Sequence, residues 1–271
     1  MSNCRVYGKS PYKVVLLHGG PGAAGTLKEL AQILSNDCGI LEPLQTKDSL
    51  IGQVEELKET LDQYADLPVL LIGHSWGAML GFIFTATYPA YVNKLMMVGS
   101  GLFDPKYVKN IMETRLSRLS EDKQLRLNNL MEKLNEENNE SDELMYQFGK
   151  LIEEADSFDP IKLSDYEIMK GQYHIHKMVW PEAAKMRENG ELLALGKKIE
   201  CPVIAIHGNF DPHPYQGIKE PLETVVDNFT FILLDKCGHE PWIERQAKDQ
   251  FINLVNDNLP EKMPNIKLGK F

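Results

Sequence analysis

Residues 70–80 read LLIGHSWGAML, and this stretch decides the fold because it places one serine between two glycines, behind one apolar run and ahead of another. An apolar run that leads through a glycine-bounded turn into a helix is typical of a buried parallel strand. The turn then lies at the carboxyl edge of the sheet, where open α/β folds bind their ligands. Ser75 is therefore a candidate for a side chain that faces a substrate.

Apolar runs alternate with helical patterns on both sides of this stretch. Strands are predicted for YKVVLLHGG, CGILEPLQ, LPVLLIG, VNKLMMVGS, CPVIAIHG and FTFILLD, and helices for GAAGTLKELAQILSN, SLIGQVEELKETLDQYA, SWGAMLGFIFTATYP, IKEPLETVV and RQAKDQFINLVNDNL. Such alternation predicts an α/β fold with a mostly parallel central sheet, flanked by helices that are connected through right-handed crossovers.

Residues 102–185 interrupt the alternation, because they contain amphipathic helical patterns and no strand-like run. Within them, Ser164 and Glu167 have the spacing of a capping box, which predicts a helix start. We expect a helical lid at 102–185, inserted into a core formed by 1–101 and 186–271. Its apolar residues pack the lid against the core, and a subset of them is expected to line a pocket; the candidates are Met145, Tyr146, Phe148, Met169, Tyr173, Met178 and Trp180.

The composition of the chain restricts which binding partners and which cellular location we expect. The formal net charge is −10, which argues against nucleic acid and anionic membranes because both would repel the protein. The sequence shows no signal-peptide pattern and no apolar run long enough to cross a bilayer. The four cysteines are far apart and form no C-x-x-C pair, which predicts reduced thiols and a cytoplasmic location.

The segment GHSWG fits the G-x-S-x-G nucleophile elbow, a strained turn that raises the serine out of the sheet. A serine hydroxyl needs a histidine as base and an acid to orient that histidine, and in this fold the chain order is serine, acid, histidine. His239 follows the last predicted strand, and Asp211 follows the strand VIAIHG. Asp235 is an alternative acid, four residues before His239.

Stabilisation of a developing oxyanion requires hydrogen-bond donors. The segment HGGPG, residues 18–22, ends the first strong strand and leaves backbone N–H groups uncovered. We assign one donor to the backbone N–H of Gly20. The second is the backbone N–H of Trp76, which follows the serine and starts a helix.

With these motifs, the chain resembles the α/β-hydrolase family over nearly all of residues 12–258, and HGGPG is similar to the branch that contains prolyl aminopeptidases and related lidded esterases and amidases. The resemblance implies Ser75 as nucleophile, Asp211 as acid and His239 as base. It also implies that the helical insertion is the substrate lid, and that no metal and no organic cofactor takes part.

The resemblance leaves three functions open. The first is a serine hydrolase that cleaves an ester or amide bond of a small molecule. The second is an aminopeptidase that acts on short peptides, in which Glu153, Glu154 or Asp156 binds the substrate's ammonium group. The third is a non-catalytic ligand-binding member of the fold. The chain has His74 where prolyl aminopeptidases have a second glycine and EPLQTKDS where they have a DQRG-type loop, which favours the first function.

Further residues near the motifs have two interpretations. His18 and Trp242 are candidates for the substrate pocket, although hydrogen bonding within the loop and packing explain them as well. His174 and His176 are two positions apart on a predicted helix, so they face different directions and do not predict a metal site. Cys237 is expected to be a packed thiol.

The family's usual first antiparallel hairpin has little room here. Only eleven residues precede Tyr12, the start of the first strong strand. We therefore expect the hairpin to be missing or reduced to the segment CRVYG.

Overall fold

The computed structural model describes residues 3–136, 141–163 and 170–260. The capping box predicted at Ser164 and Glu167 lies outside these residues, and so does Met169. In the described ranges, no helix combines the length and apolar character that spanning a bilayer requires.

In these ranges, seven strands form one sheet in the order β1-β3-β2-β4-β5-β6-β7. They are β1 Cys4–Tyr7, β2 Tyr12–Leu17, β3 Gly39–Pro43, β4 Val69–His74, β5 Val92–Val98, β6 Val203–Gly208 and β7 Phe229–Leu234. All neighbouring strands pair in parallel except β1, which runs antiparallel to β3 at the sheet edge. The mostly parallel sheet predicted from the alternation is confirmed, and β1 lies in the segment CRVYG.

The described ranges contain ten α-helices. They are α1 Lys28–Leu34, α2 Leu50–Tyr64, α3 Trp76–Thr87, α4 Ile111–Ser117, α5 Glu121–Asn135, α6 Asp142–Asp156, α7 Gln172–Glu188, α8 Glu191–Ala194, α9 Gln216–Glu223 and α10 Lys248–Asn256. The first helix is shorter than its sequence pattern, because the turns after HGGPG continue to Lys28.

The core has two parts, one on each face of the sheet. Alternate residues of β2 separate them: Val15 and Leu17 pack with α2 and α3 on one face, and Val14 and Leu16 pack with α1 and α10 on the other. Burial on both faces explains why the inner parallel strands consist almost entirely of apolar residues. The helix that follows Ser75, α3, has eleven buried residues, so it fixes the position of that turn.

Five of the described α-helices, α4 to α8, lie between β5 and β6. The first three share a small apolar cluster of their own, with Leu127 and Leu130 from α5 against Leu151 and Ala155 from α6. The fourth of them, α7, continues to Glu188, three residues beyond the predicted end of the lid. The division into lid and core remains a prediction.

Candidate active site

Ser75 lies between the end of β4 and the start of α3, with φ 54° and ψ −115°. A positive φ is uncommon for a residue with a side chain and stores strain. The Ser75 N–H donates to the Val98 carbonyl oxygen at 2.9 Å, which anchors the turn to β5. A Cβ on Gly73 would overlap the carbonyl oxygen of Gly77, and one on Gly77 would overlap that of Leu17. Both glycines are therefore required by close backbone contact.

Asp211 and His239 meet at the carboxyl end of the sheet. Asp211 follows β6, His239 follows β7, and Nδ1 of His239 lies 2.6 Å from Oδ2 of Asp211. The alternative acid is engaged elsewhere, since Oδ1 of Asp235 accepts a hydrogen bond from Nδ2 of Asn209 at 2.6 Å. The geometry thus joins His239 to Asp211 rather than to Asp235.

At this contact, burial and the neighbouring charges shift the pKa values of Asp211 and His239 in opposite directions. Burial raises the pKa of Asp211, but the neighbouring imidazoles of His239, His207 and His213 outweigh it and hold that pKa well below its usual value. Burial also lowers the pKa of His239, but the charge and hydrogen bond of Asp211 and the charge of Asp156 together raise it, so the net shift is upward. The carboxylate therefore stays charged and favours a protonated His239.

The sequence analysis missed His213, whose side chain contacts the same carboxylate. Its Nδ1 lies 2.7 Å from Oδ1 of Asp211, and its backbone N–H donates to that oxygen at 2.9 Å. The rings of His213 and His239 are 5.0 Å apart between centroids. An aspartate that accepts from the backbone two residues on is a common turn signal, so the DPH segment could have indicated this contact.

A cavity of about 330 Å³ brings the candidate residues together. Ser75, His239, His213 and Gly20 line it from the sheet edge, and Arg115 and Asp156 line it from α4 and α6. The cavity is thus enclosed between the core and the helices that lie between β5 and β6.

Some of the apolar candidates from the predicted lid line this cavity, namely Met145, Tyr146, Phe148 and Trp180. Tyr173 lines a neighbouring cavity of about 320 Å³, and Met178 is 46% exposed.

The two candidate oxyanion donors lie at adjoining loops. Gly20 lines the cavity, and Trp76 is the first residue of α3, where helix N–H groups have no partner within the helix. The indole of Trp76 is buried and donates from Nε1 to Oε1 of Gln53 at 3.0 Å. For Trp76, only the backbone is therefore available to a substrate.

Two pocket candidates need correction, because neither His18 nor Trp242 lines the cavity. His18 is fully buried, and its two ring nitrogens lie 2.9 Å and 3.0 Å from the carbonyl oxygens of Gly19 and Leu44. Trp242 is also fully buried and packs edge-on against the ring of His74 at 4.8 Å. His18 positions the loop from within, and Trp242 supports the far side of His74.

The three carboxylates considered for ammonium binding are all in ion pairs. Glu153 pairs with Lys150, Glu154 pairs with Lys123, and Asp156 pairs with Arg115. Asp156 lines the cavity, whereas Glu153 and Glu154 do not. An ammonium group at Asp156 would therefore compete with a guanidinium.

Among the described residues, Asp211, His213 and His239 have potential metal-ligand atoms within 4.8 Å of one another. The hydrogen bonds to Asp211 account for this spacing. His174 lies 3.5 Å from Asp48, while the ring of His176 stacks on Trp180 at 6.1 Å. These two histidines thus have different neighbours, as their spacing on a helix predicts.

Comparison with known proteins agrees with the fold described above. A family model described as alpha/beta hydrolase fold matches residues 45–246. A protein named proline iminopeptidase from Heyndrickxia coagulans is 24% identical over 262 residues, which covers 91% of this chain and 90% of that protein.

Solved structures are similar over most of the chain. VinJ superposes with a TM-score of 0.65 at 17% identity, covering 94% of this chain and 93% of its own. A mutant of the meta-cleavage product hydrolase CumD from Pseudomonas fluorescens IP01, complexed with acetates, gives a TM-score of 0.62 at 18% identity, covering 94% and 92%. At such identities the likeness concerns the fold alone.

Proposed function

Because the chain belongs to the α/β-hydrolase family, we propose that it is a serine hydrolase that cleaves a carboxylic ester or amide bond of a small molecule through an acyl-enzyme intermediate. The observation that carries the proposal is the 2.6 Å contact between His239 and Asp211 beside the cavity that Ser75 also lines. A strained serine, a base and an acid that orients the base are the parts that nucleophilic acyl transfer needs.

In the first half of the reaction, Ser75 Oγ attacks the carbonyl carbon while Nε2 of His239 takes the hydroxyl proton. Asp211 keeps Nδ1 of His239 protonated and stabilises the imidazolium that forms. The backbone N–H groups of Gly20 and Trp76 donate to the oxyanion, and losing one such donor typically costs about 10²- to 10³-fold in rate.

The imidazolium then donates its proton to the leaving alcohol or amine, and the bond to the leaving group breaks. In the second half, water enters, His239 takes a proton from it, and the resulting hydroxide attacks the acyl-enzyme. Ser75 recovers its proton as the acid product leaves. No cofactor takes part in these steps.

The helices at 102–185 act as the lid in this proposal. Their apolar side chains Phe148 and Trp180 border the cavity, which supports a substrate with an apolar portion next to the scissile bond. The protein is placed in the cytoplasm, since none of its four cysteines forms a disulfide.

Labelling with a fluorophosphonate probe tests the nucleophile. We expect the wild-type protein to be labelled and Ser75→Ala to remain unlabelled while it keeps the wild-type fold by circular dichroism. Ser100→Ala is the matched control, because Ser100 is buried and hydrogen-bonds locally to the Gly101 carbonyl oxygen. Equal labelling of wild type and Ser75→Ala would refute the assignment of Ser75.

The second candidate is an aminopeptidase, which the relative named proline iminopeptidase and the HGGPG segment favour. The ion pair between Asp156 and Arg115 argues against binding of an ammonium group at that carboxylate. A panel of p-nitrophenyl acyl esters and aminoacyl p-nitroanilides, including proline, separates the two. Preference for the acyl esters supports the first function, and preference for free aminoacyl substrates supports the second.

A ligand-binding member of the fold without catalysis is the third possibility. Ser75, Asp211 and His239 together argue against it, because a binding protein has no need for all three. A folded protein that neither labels nor turns over any substrate in the panel would support this third function.

A further inference from the structure

Arg115 and Asp156 form a buried ion pair at the cavity. Nε of Arg115 donates to Oδ1 of Asp156 at 2.8 Å, and Nη2 donates to Oδ2 at 2.6 Å. The two side chains are 14% and 3% exposed. Both carboxylate oxygens of Asp156 are therefore occupied by one bidentate guanidinium.

The guanidinium has more donors than this pair uses. Arginine has five N–H groups, of which the pair takes two. In the described part of the chain, no residue accepts a hydrogen bond from Nη1. Nη1 is also not one of the described atoms that are buried without a partner, so it is accessible. The unpaired end of the side chain therefore reaches open space, and Arg115 lines the cavity. A buried guanidinium with free donors at a cavity is ready to bind an acceptor oxygen.

The ion pair lies on the His239 side of the cavity. The backbone N–H of His239 donates to the Asp156 carbonyl oxygen at 2.9 Å, so the pair is attached to the loop that carries the proposed base. Since the base must reach the leaving group to protonate it, an acceptor bound by Arg115 belongs to the leaving-group portion of the substrate.

Charge decides which acceptor fits. In the lining that the structure describes, Arg115 is the one arginine or lysine and Asp156 the one carboxylate, and Asp211 adds a second negative charge behind His213 and His239. A substrate carboxylate would meet Arg115 but would also face both aspartates. An ammonium group would face the guanidinium. A neutral carbonyl oxygen gains the hydrogen bond without either repulsion.

We propose that Nη1 of Arg115 binds a second, uncharged carbonyl oxygen in the leaving-group portion of the substrate. The inference rests on the proposed hydrolase function and narrows its substrates to esters or amides whose leaving group carries such an oxygen. Arg115 is a specificity-determining residue in this role, and Asp156 positions it.

Three isosteric acetate esters test the proposal. Acetoxyacetone carries a neutral carbonyl in its leaving group, acetoxyacetate carries a carboxylate, and propyl acetate carries neither. Acetate release gives kcat/KM for each ester, and homologues with two and three methylene groups between the ester oxygen and the second group cover the spacing. The readout is the ketone-to-alkyl ratio of kcat/KM at the spacing where the wild-type ratio is highest.

The variant is Arg115→Met/Asp156→Asn, which removes both charges and leaves no buried charge unpaired. A hydrogen bond to a charged donor supports an expected fall in the ketone-to-alkyl ratio of about 10- to 100-fold. Intrinsic reactivity cancels, because each ratio is compared with the same ratio in the wild type. Lys123→Met/Glu154→Gln removes a neighbouring pair whose residues do not line the cavity, and its ratio should stay at the wild-type value.

If the double variant does not fold, Arg115→Lys replaces it, because lysine keeps the charge but has no Nη1. A ketone-to-alkyl ratio that is the same in the variant and the wild type would overturn the inference. It would also be overturned if the wild type preferred the carboxylate ester and the variant lost that preference. Fluorophosphonate labelling of Ser75 in the same samples separates this result from failure of the proposed function, in which the wild type neither labels nor hydrolyses any of the esters.

Discussion

Asp211 orients two imidazoles with one fully buried carboxylate. Oδ2 holds His239, and Oδ1 holds the side chain and backbone N–H of His213. Because Oδ1 accepts two hydrogen bonds from one turn, the carboxylate cannot rotate without breaking both of them. The direction in which Oδ2 meets His239 is thus set by residue 213 as well as by residue 211.

The pH dependence of the proposed reaction follows from the raised pKa of His239. The base must be neutral, so kcat/KM should fall as the pH drops through a value above the usual 6.5 of histidine. Asp211→Asn removes the charge that raises this pKa, while burial still lowers it. We expect the acid limb to move to lower pH and kcat to drop by about 10⁴-fold. A pH profile of ester hydrolysis measures both.

Asp235→Asn is the control for that change, since Asp235 is exposed and bonds to Asn209. Its acid limb should match the wild type. A loss of activity in Asp235→Asn with little effect of Asp211→Asn would reverse the assignment of the acid.

Two substitutions at His213 isolate its hydrogen bond to Asp211. His213→Leu removes the side-chain donor, whereas His213→Asn keeps an N–H group near the position of Nδ1. One hydrogen bond is worth about 0.5–1.5 kcal/mol, so kcat/KM should fall about 2- to 10-fold in the leucine variant and less in the asparagine variant. Steady-state kinetics on one ester gives the comparison. Equal losses in both variants would mean that the side chain acts through packing.

At the level of elements, β4, the turn at Ser75 and α3 depend on contact between backbones. Gly77→Ala would place a Cβ against the carbonyl oxygen of Leu17, which belongs to β2 and cannot move like a side chain. We expect a loss of about 1–3 kcal/mol in the free energy of unfolding, measured in urea.

The control is Gly81→Ala, in the same helix, whose Cβ would meet only the ends of the leucine side chains of Leu95, Leu71 and Leu17 at 3.1–3.6 Å. It should stay within about 1 kcal/mol of the wild type, and equal losses would contradict the backbone argument.

Strands and helices could be predicted from the sequence where the local pattern of apolar residues determines them. The inner parallel strands are mostly buried on both faces, so they appear in the sequence as apolar runs, and the partly exposed edge strand β7 is apolar as well. Ser75, Asp211 and His239 each follow such a run. The contacts of Arg115 were not predictable, because they depend on how α4 and α6 pack against the His239 loop. The sequence analysis predicts Trp242 at the pocket, yet its ring is fully buried in the core.

In the whole molecule, Glu244 connects the helices between β5 and β6 to the His239 loop. Its side chain is fully buried, and Oε1 accepts hydrogen bonds from the N–H of Phe158 at 2.7 Å and of Gly238 at 2.9 Å. Oε2 accepts from the N–H of Asp159 at 2.8 Å. Two of these donors follow α6, and the third directly precedes His239. One carboxylate therefore holds the end of α6 against the backbone of the proposed base.

Replacing Glu244 tests this connection in both stability and activity. Glu244→Leu leaves three backbone N–H groups without their acceptor, and each unsatisfied donor costs about 1–3 kcal/mol. We expect the free energy of unfolding to fall by about 3 kcal/mol or more, and kcat/KM to fall in the variant that is still folded, because the His239 loop loses its anchor. Urea denaturation and ester hydrolysis measure the two effects.

Glu223→Leu serves as the control, since Glu223 is exposed on α9 and, in the described part of the chain, forms an ion pair with Lys219 alone. It should change stability by less than about 1 kcal/mol. If Glu244→Leu lowered stability but left kcat/KM at the wild-type value, the carboxylate would support the fold without positioning His239. The coupling between the helical insertion and the proposed base would then run through other contacts, such as the hydrogen bond from the His239 N–H to the Asp156 carbonyl oxygen.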